Sequence, residues 1–133
     1  MLVTAAELAE HRADAEARML DECRVEYRTG RTVQDESTGR EVPQYATRFT
    51  TRCRVKAGTV ATAEGGGREL VTLRRELHIP VSSPATSDGD RAVMTALHPT
   101  TDPTLTGAVL TLGAVAVGSQ TTARRIDVEE VAT

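Results

Sequence analysis

After residue 22, apolar and charged side chains alternate along several segments of this chain. A two-residue period places one kind of side chain on each face of a β-strand, so this pattern constrains the fold more than any other feature. Turn-forming residues separate six segments that are predicted to be strands: residues 23–28, 45–56, 69–81, 90–97, 108–117 and 123–131. The expected fold is mainly β, a small six-stranded antiparallel β-barrel or sandwich.

Three of these features lead to specific expectations. The polar stretch 29–44 is expected to connect two hairpin strands. Segment 108–117 is apolar on both faces, which predicts the most buried strand. In segment 45–56 the apolar face is expected to carry Tyr45, Phe49, Cys53 and Val55, and the other face Arg48, Arg52, Arg54 and Lys56. Charge without aromatics on one face argues against a platform for stacked bases and favours one half of a protein–protein contact.

The residues before the first strand predict one N-terminal α-helix over residues 4–21. Thr4 and Glu7 have the spacing of a capping box, and Ala, Glu and Arg dominate the residues after them. Three apolar residues form a weak stripe that Arg12 interrupts: Leu8, Ala15 and Met19. The helix is therefore expected to lie on a surface, either as a cover for its own barrel or as a docking element for another chain.

Composition narrows the class of protein further. The 133 residues are expected to form a single domain, with the helix at 4–21 and the barrel at 23–131. With 16 basic and 19 acidic residues the net charge is −3, which argues against a duplex-DNA binder. No apolar run reaches about 18 residues, so no membrane contact is expected. A core with so few aromatics is thin and favours completion by neighbouring subunits; the aromatics are Tyr27, Tyr45 and Phe49.

Three consecutive glycines, Gly65 to Gly67, raise the question of a phosphate-binding loop. Such a loop needs a helix N-terminus directly after it, because aligned N–H groups hold the anion. Here the residues after Arg68 alternate as a strand. We therefore expect residues 57–68 to form a mobile loop in which the glycines act as a hinge.

The sequence contains no arrangement that indicates catalysis, a metal site or a cofactor. None of the serines lies in a G-x-S-x-G motif, and Asp88-Gly89-Asp90 lacks the other oxygen ligands of a calcium loop and predicts a β-turn. Cys23 and Cys53 match neither a zinc nor a redox pattern and are expected to be buried, reduced thiols. The three histidines stand in unrelated contexts: His11, His78 and His98. We expect a protein that is not an enzyme.

An ordered set of short fragments carries a family resemblance. After the Ala-rich helix come MLDECRVEYRTG, TGREVPQY, TRCRV, a Gly-rich segment, LHIPVSS, GD before a strand, DPTLTGAVLTLGAV and SQTTARRIDVEEV. In this order they resemble the head-to-tail stopper, or head-closure, proteins of long-tailed phages of actinobacteria. The resemblance extends from about Leu8 to Val131. Segment 108–115 departs from it, because that segment is smoother and smaller than expected and has no aromatic residue.

The resemblance implies a β-barrel with an N-terminal helix and a place in the virion, assembled in the cytoplasm of the host bacterium. The chain would form a homo-oligomeric ring, of six copies rather than twelve, in the head-tail connector. That ring would meet the portal or adaptor on the head side and the tail terminator or tail tube on the tail side. It would close the filled capsid and let DNA pass non-specifically through its lumen. The alternatives are a tail terminator or another minor virion ring protein, a nucleic-acid-binding barrel, and a small enzyme.

Two sets of residues are the candidate functional sites. The resemblance implies that a loop between central strands projects toward the channel, which here corresponds to Ala61, Thr62, Glu64, Gly65, Gly66, Gly67 and Arg68. The helix stripe and the mixed charge of the last strand predict a subunit or partner interface at Leu8, Arg12, Met19, Arg124, Arg125, Asp127, Glu129 and Glu130.

Overall fold

The computed structural model describes residues 4–65, 68–116 and 121–130. Side chains are described for residues 4–57, 75–115 and 121–129. Over these residues the chain forms one α-helix, α1 (Ala5–Ala17), and six strands. The strands are β1 (Asp21–Gln34), β2 (Glu41–Gly65), β3 (Arg68–Ile79), β4 (Arg91–Ala96), β5 (Val109–Ala116) and β6 (Arg124–Glu130).

All six strands belong to one antiparallel sheet. Their order is β1-β2-β3-β6-β5-β4, and β4 pairs back with β1, so the sheet closes on itself like a barrel. Closure gives every strand two neighbouring strands, and β2 pairs with β1 as far as Cys53 and with β3 from Arg54 onward. The prediction of a mainly β, six-stranded antiparallel fold with one N-terminal helix is confirmed.

Helix α1 begins as the sequence predicts and ends earlier. Thr4 is the N-cap, and its hydroxyl oxygen accepts a hydrogen bond from the Glu7 N–H at 3.1 Å. The helix ends at Ala17 rather than residue 21, because the N–H of Met19 turns back to the carbonyl of Glu16 and β1 already begins at Asp21. Every residue of α1 is at least partly exposed, so the helix lies on the surface as expected.

The core fills the inside of the closed sheet with aliphatic side chains and the two cysteines. Its largest fully buried side chains are Val25, Leu77, Ile79, Leu110, Leu112, Ile126, Cys23 and Cys53. Fully burying one such aliphatic side chain stabilises the fold by roughly 1.5–3 kcal/mol. Phe49 packs against this cluster while only partly buried. The two cysteines carry free thiols, as expected.

Strand β5 corrects one expectation. Leu110 and Leu112 are buried, whereas Val109 and Thr111 are half-buried and Ala114 is exposed. The strand therefore has one buried face rather than two. The reason is the closed sheet, in which the interior covers only the inward face of each strand.

A β-bulge in β2 corrects a second expectation. Val25 of β1 pairs with Phe49, but the next residue of β1, Glu26, pairs with Thr47, which leaves Arg48 as the extra residue. The extra residue reverses the inward–outward alternation before it. Tyr45, opposite Arg28, therefore lies on the outer face instead of sharing the face of Phe49.

The two hairpins are longer than the sequence suggests. β1 and β2 remain paired out to Gln34 and Glu41, within the stretch 29–44 that was expected to be a connection. β2 and β3 remain paired out to Gly65 and Arg68, so the expected loop over residues 57–68 is instead a strand as far as Gly65. The small residues of this segment include β-branched Thr59, Val60 and Thr62, and β3 supplies partners along one side of its backbone.

Candidate functional site

Two hairpin arms leave the barrel in opposite directions. β2 pairs with β1 as far as Cys53 and with β3 from Arg54 onward, so one continuous strand runs through both arms. Its 25 residues follow a path of roughly 80 Å at a rise of about 3.3 Å per residue. The first arm is the β1–β2 hairpin beyond Glu26, where the pairing with β4 ends. The second arm is the β2–β3 hairpin beyond Arg75, where the pairing with β6 ends.

The tip of the first arm is ordered by its own hydrogen bonds. The N–H of Asp35 donates to the Arg40 carbonyl at 2.8 Å, and the N–H of Gly39 donates to the Asp35 carbonyl at 2.7 Å. The Asp35 carboxylate accepts from the hydroxyl of Ser37 at 2.7 Å and from its N–H at 2.9 Å, and these bonds lower the pKa of Asp35. Gly39 has a φ of 71°, a conformation that favours glycine. The arm therefore ends in a defined turn.

A cationic cluster surrounds Glu26 on the outer face at the root of the first arm. The Glu26 carboxylate accepts from Arg91 Nε at 2.7 Å and from Arg24 Nε at 2.8 Å. The Arg91 guanidinium lies 3.5 Å from the ring centre of Tyr45, whose hydroxyl oxygen accepts from Arg28 Nε at 3.2 Å. Burial raises the pKa of Glu26, but the hydrogen bonds from Arg91 and Arg24 outweigh that effect and leave the pKa below its ordinary value.

A second ion pair joins the arm root to the residue before β4. Arg48, at the bulge, pairs with Asp90 at 2.9 Å, and its guanidinium lies 4.8 Å from the ring centre of Tyr27. Asp90 also accepts from the N–H of Ser87 at 2.9 Å, and its carbonyl accepts from the N–H of Leu112 at 2.7 Å. An open cleft of about 390 Å³ lies beside these residues. Because Arg48 and Asp90 bind each other, this cluster holds the arm root in place.

The outer face of β3 and β6 carries carboxylates. Glu76 pairs with Asp127 on one side and with Lys56 of β2 on the other, and Glu129 follows on the face of Asp127. Arg125 and His78 form the next pair toward the end of the barrel. His78 is buried on this face and lies 3.3 Å from the Glu76 carboxylate. Burial lowers the pKa of His78, which outweighs the opposite effect of Glu76 and keeps the ring neutral near pH 7.

Comparison with known proteins places the chain in a family. The family model for DUF6093, described as a family of unknown function, matches residues 11–129. The chain belongs to the DUF6093 family. No curated protein and no solved structure matches it. The match spans the six strands of the barrel up to Glu129, so the closed sheet and both arms lie within the DUF6093 region.

In this DUF6093 chain the predicted gating residues lie on the second arm. Ala61, Thr62 and Glu64 belong to β2, and Gly65 pairs with Arg68 at the end of the described ladder. Gly66 and Gly67 lie outside the described residues, as do the side chains of residues 58–74. The segment is therefore the outer part of a hairpin rather than a loop. Its position toward a channel and its mobility stay predictions.

Three of the predicted interface residues have contacts within the DUF6093 chain itself. Met19 is buried. Arg12 donates to the carbonyl of Thr121 at 3.1 Å and ties α1 to the barrel. Arg124 donates to three carbonyls of the segment after β3, at 2.8 Å to Ser83, 2.7 Å to Pro84 and 3.0 Å to Val81. The partner contacts predicted for these three residues stay predictions.

The other predicted interface residues lie on the outside. Leu8 is half-buried on α1. Arg125, Asp127 and Glu129 are exposed on the outer face of β6, and the side chain of Glu130 lies outside the described residues. Asp127 and Glu129 share one face, as the strand period predicts. Arg125, Asp127 and Glu129 are therefore the residues of the predicted interface that are exposed on the outer face.

The cationic cluster around Glu26 was not predicted from the sequence. Alternation in β1 places Arg24, Glu26 and Arg28 on one face, and that signal was available in the sequence. Arg91 joins them only because β4 pairs with β1, and Tyr45 only because of the bulge at Arg48. The DPTLTG motif, in contrast, has a structural role: Asp102 caps a 3₁₀ turn at Pro103–Leu105 and accepts from the N–H of Thr104 at 3.0 Å.

Within the described residues, no group of three or more His, Cys, Asp or Glu side chains could hold a metal ion. No helix in the described part of the chain is long and apolar enough to cross a membrane.

Proposed function

We propose that this chain is a non-enzymatic structural protein of the virion, one subunit of a ring in the head-tail connector of a long-tailed bacteriophage. In this role it closes the DNA-filled capsid and joins it to the tail. The observation that carries the proposal is the run of β2 through two hairpin arms on opposite sides of a small closed barrel. The sequence resemblance to head-to-tail stoppers supports it independently.

The arms give a ring subunit a means of contact along the particle axis. A closed sheet presents few free strand edges in its wall, so partners must meet the arms, the helix or the outer faces. Arms that leave opposite ends can contact different neighbours, the portal or adaptor on the head side and the tail terminator or tail tube on the tail side. The net charge of −3 suits a lumen through which DNA slides without binding tightly.

The second arm is the proposed gate. Its outer part carries the triple glycine and two charges of opposite sign, Glu64 and Arg68, so it offers DNA little electrostatic attraction. A hairpin is stiffer than the loop expected from composition, because its backbone is bound in a ladder up to Gly65. The gate therefore acts by moving the hairpin as a unit, with change at its root rather than along its length.

The test is the position of the chain in assembled particles. A phage that encodes the chain would be imaged by electron cryomicroscopy, and the barrel with its two long arms would be fitted to the connector density. We expect a ring between the portal–adaptor assembly and the tail. A ring at the end of the tail tube would instead support the tail terminator alternative, and purified, infective particles that contain no copy of the chain would refute both.

A nucleic-acid-binding barrel is the second candidate, and one observation favours it. The bulge places Tyr45 on the outer face with Arg28 and Arg91, which combines an aromatic ring and cations on one surface. The Arg91 guanidinium already stacks on that ring, so a base would have to displace it. Fluorescence anisotropy with a labelled single-stranded oligonucleotide decides between the two. The connector role predicts no saturable binding at about 0.15 M salt, whereas steep salt-dependent binding would favour the second candidate.

A further inference from the structure

The cationic cluster at the root of the first arm has a surplus of positive charge. It contains one carboxylate, that of Glu26, whose side chain is 9% exposed and which binds the guanidinium groups of Arg24 and Arg91. One cation would be enough to neutralise this buried carboxylate. Arg28 adds a third guanidinium, which binds the hydroxyl oxygen of Tyr45. Three guanidinium groups and one carboxylate give the cluster a net charge of +2.

The residues beside the cluster do not cancel this surplus. On the β2 side, Glu22 pairs with Arg52, which adds one charge of each sign. On the β5 side, Arg91 pairs with Thr111, which pairs in turn with Glu129, so the backbone of Glu129 is roughly 10 Å from that of Arg91. Removing a net +2 from the chain's −3 leaves −5 for the rest. The cluster is therefore a local reversal of sign.

The three guanidinium groups are held in place with donors still open. Arg24 and Arg91 bind Glu26 through Nε, and Arg28 binds Tyr45 through Nε. Among the described residues, their terminal nitrogens have no hydrogen-bond partner. The side chains of Arg24 and Arg91 are 40% and 32% exposed, and Arg28 is exposed. A guanidinium bound through Nε keeps its other N–H groups in one plane, which suits a carboxylate.

We propose that the cationic cluster binds an acidic segment of a partner protein, whose Asp or Glu carboxylates accept from the outward N–H groups of Arg24, Arg28 and Arg91. The Glu26 carboxylate and the Tyr45 ring already fix the guanidinium groups, so binding costs less side-chain entropy than it would on free arginines. This inference goes beyond the connector role and does not depend on it.

Two observations favour a protein over a nucleic acid. A single strand gains affinity by stacking bases on an open aromatic ring. Here the Arg91 and Arg28 guanidinium groups already lie 3.5 Å and 5.9 Å from the ring centre of Tyr45. A nucleic acid also carries its charge along an extended backbone, which beyond the cluster would meet a surface of opposite balance. A short acidic segment meets the cluster alone.

The test is fluorescence anisotropy with two labelled probes of equal charge, hexaglutamate and a thymidine heptanucleotide with six phosphates. The purified full-length chain is added up to about 2 mM at about 0.1 M salt. We expect saturable binding of hexaglutamate with a dissociation constant at or below about 1 mM, and no tighter binding of the oligonucleotide. At about 1 M salt the peptide should bind more weakly, because the Debye length falls from roughly 10 Å to 3 Å.

Two variants locate the binding in the cluster. Arg28→Gln leaves both bonds to Glu26 intact and should weaken peptide binding about threefold. Arg24→Gln with Arg28→Gln should weaken it about tenfold, with circular dichroism used to confirm that the variant is folded. The matched control is Arg18→Gln with Arg40→Gln, which removes the same charge from two exposed residues outside the cluster and should leave binding within about twofold.

Four results would overturn the inference: no saturable binding of hexaglutamate, normal binding by the folded double variant, an equal loss in the control, or tighter binding of the oligonucleotide than of the peptide. The last result would favour the nucleic-acid-binding barrel. The first three would leave the connector role standing, because the position of the chain in assembled particles tests that role separately.

Discussion

Replacing Arg124 with methionine should destabilise the barrel, because this side chain joins the start of β6 to the segment after β3. Its guanidinium donates to the carbonyls of Val81, Ser83 and Pro84, all within 3.0 Å. A hydrogen bond that involves a charged group contributes about 1.5–3 kcal/mol. The three accepting residues are half-buried or exposed, so water replaces part of what is lost. We therefore expect the free energy of unfolding to fall by about 2–3 kcal/mol in total.

The measurement is equilibrium urea unfolding followed by circular dichroism, with thermal unfolding as a second readout. For a chain of this size the expected loss corresponds to a fall in Tm of roughly 10 °C. Arg125→Met is the matched control, since Arg125 is its sequence neighbour, is exposed and points outward from β6, and its change should stay within about 0.5 kcal/mol. Arg124→Lys should be intermediate, because a single ammonium cannot reproduce the planar fork.

Equal stability of Arg124→Met and Arg125→Met would refute this reasoning. It would mean that the three carbonyls are satisfied as well by water as by the guanidinium. The comparison also distinguishes the structural role of Arg124 from that of Arg125, which the sequence pattern does not. Reversing the charge at both positions would make a folding defect indistinguishable from an assembly defect. Arg125 is the position at which an assembly role can be tested without disturbing the fold.

Three further predictions concern the barrel. The pKa of Glu26 in the folded chain lies below its ordinary value of 4.5, so its carboxylate stabilises the fold fully above that value and progressively less as the pH falls. Glu26→Gln should therefore show a shallower loss of stability in urea midpoints measured between about pH 5 and pH 2. Leu110→Ala should cost about 3–4 kcal/mol in the same assay, whereas Val33→Ala, which alters an exposed residue on the first arm, should cost less than about 0.5 kcal/mol. The Cys53 thiol, whose pKa is raised by the neighbouring Cys23 thiol and by burial, should resist a thiol-specific reagent in the native chain and react once urea unfolds it; rapid native labelling would contradict this.

The two-residue period was sufficient to predict the architecture. Alternation arises because every second side chain of a strand faces the core. In the closed sheet only the inner face is covered, and β1, the central part of β2 and β6 show this alternation of buried and exposed side chains. It predicted the inward direction of Cys23, Phe49 and Cys53 and the shared outer face of Asp127 and Glu129. The surface position of α1 followed from its weak apolar stripe.

The same period could not predict what depends on pairing between distant segments. The bulge at Arg48 adds one residue to β2, and nothing in the local sequence marks the addition. Because the alternation reverses there, Tyr45 was placed on the wrong face and the cluster with Arg91 was missed. Residues 57–65 have the composition of a loop, and their strand conformation depends on the ladder that β3 supplies.

The length of β2 bears on how a ring of this chain would meet its neighbours. A compact barrel with short hairpins could join its copies only through the outer wall, and the same surfaces would then have to bind the neighbours above and below. Here the two arms extend beyond the last pairs with β4 and β6, which leaves the outer wall for contact between copies. Lateral contact between copies and axial contact with head and tail can therefore use separate parts of one chain. That separation allows a ring to persist while the second arm changes its position.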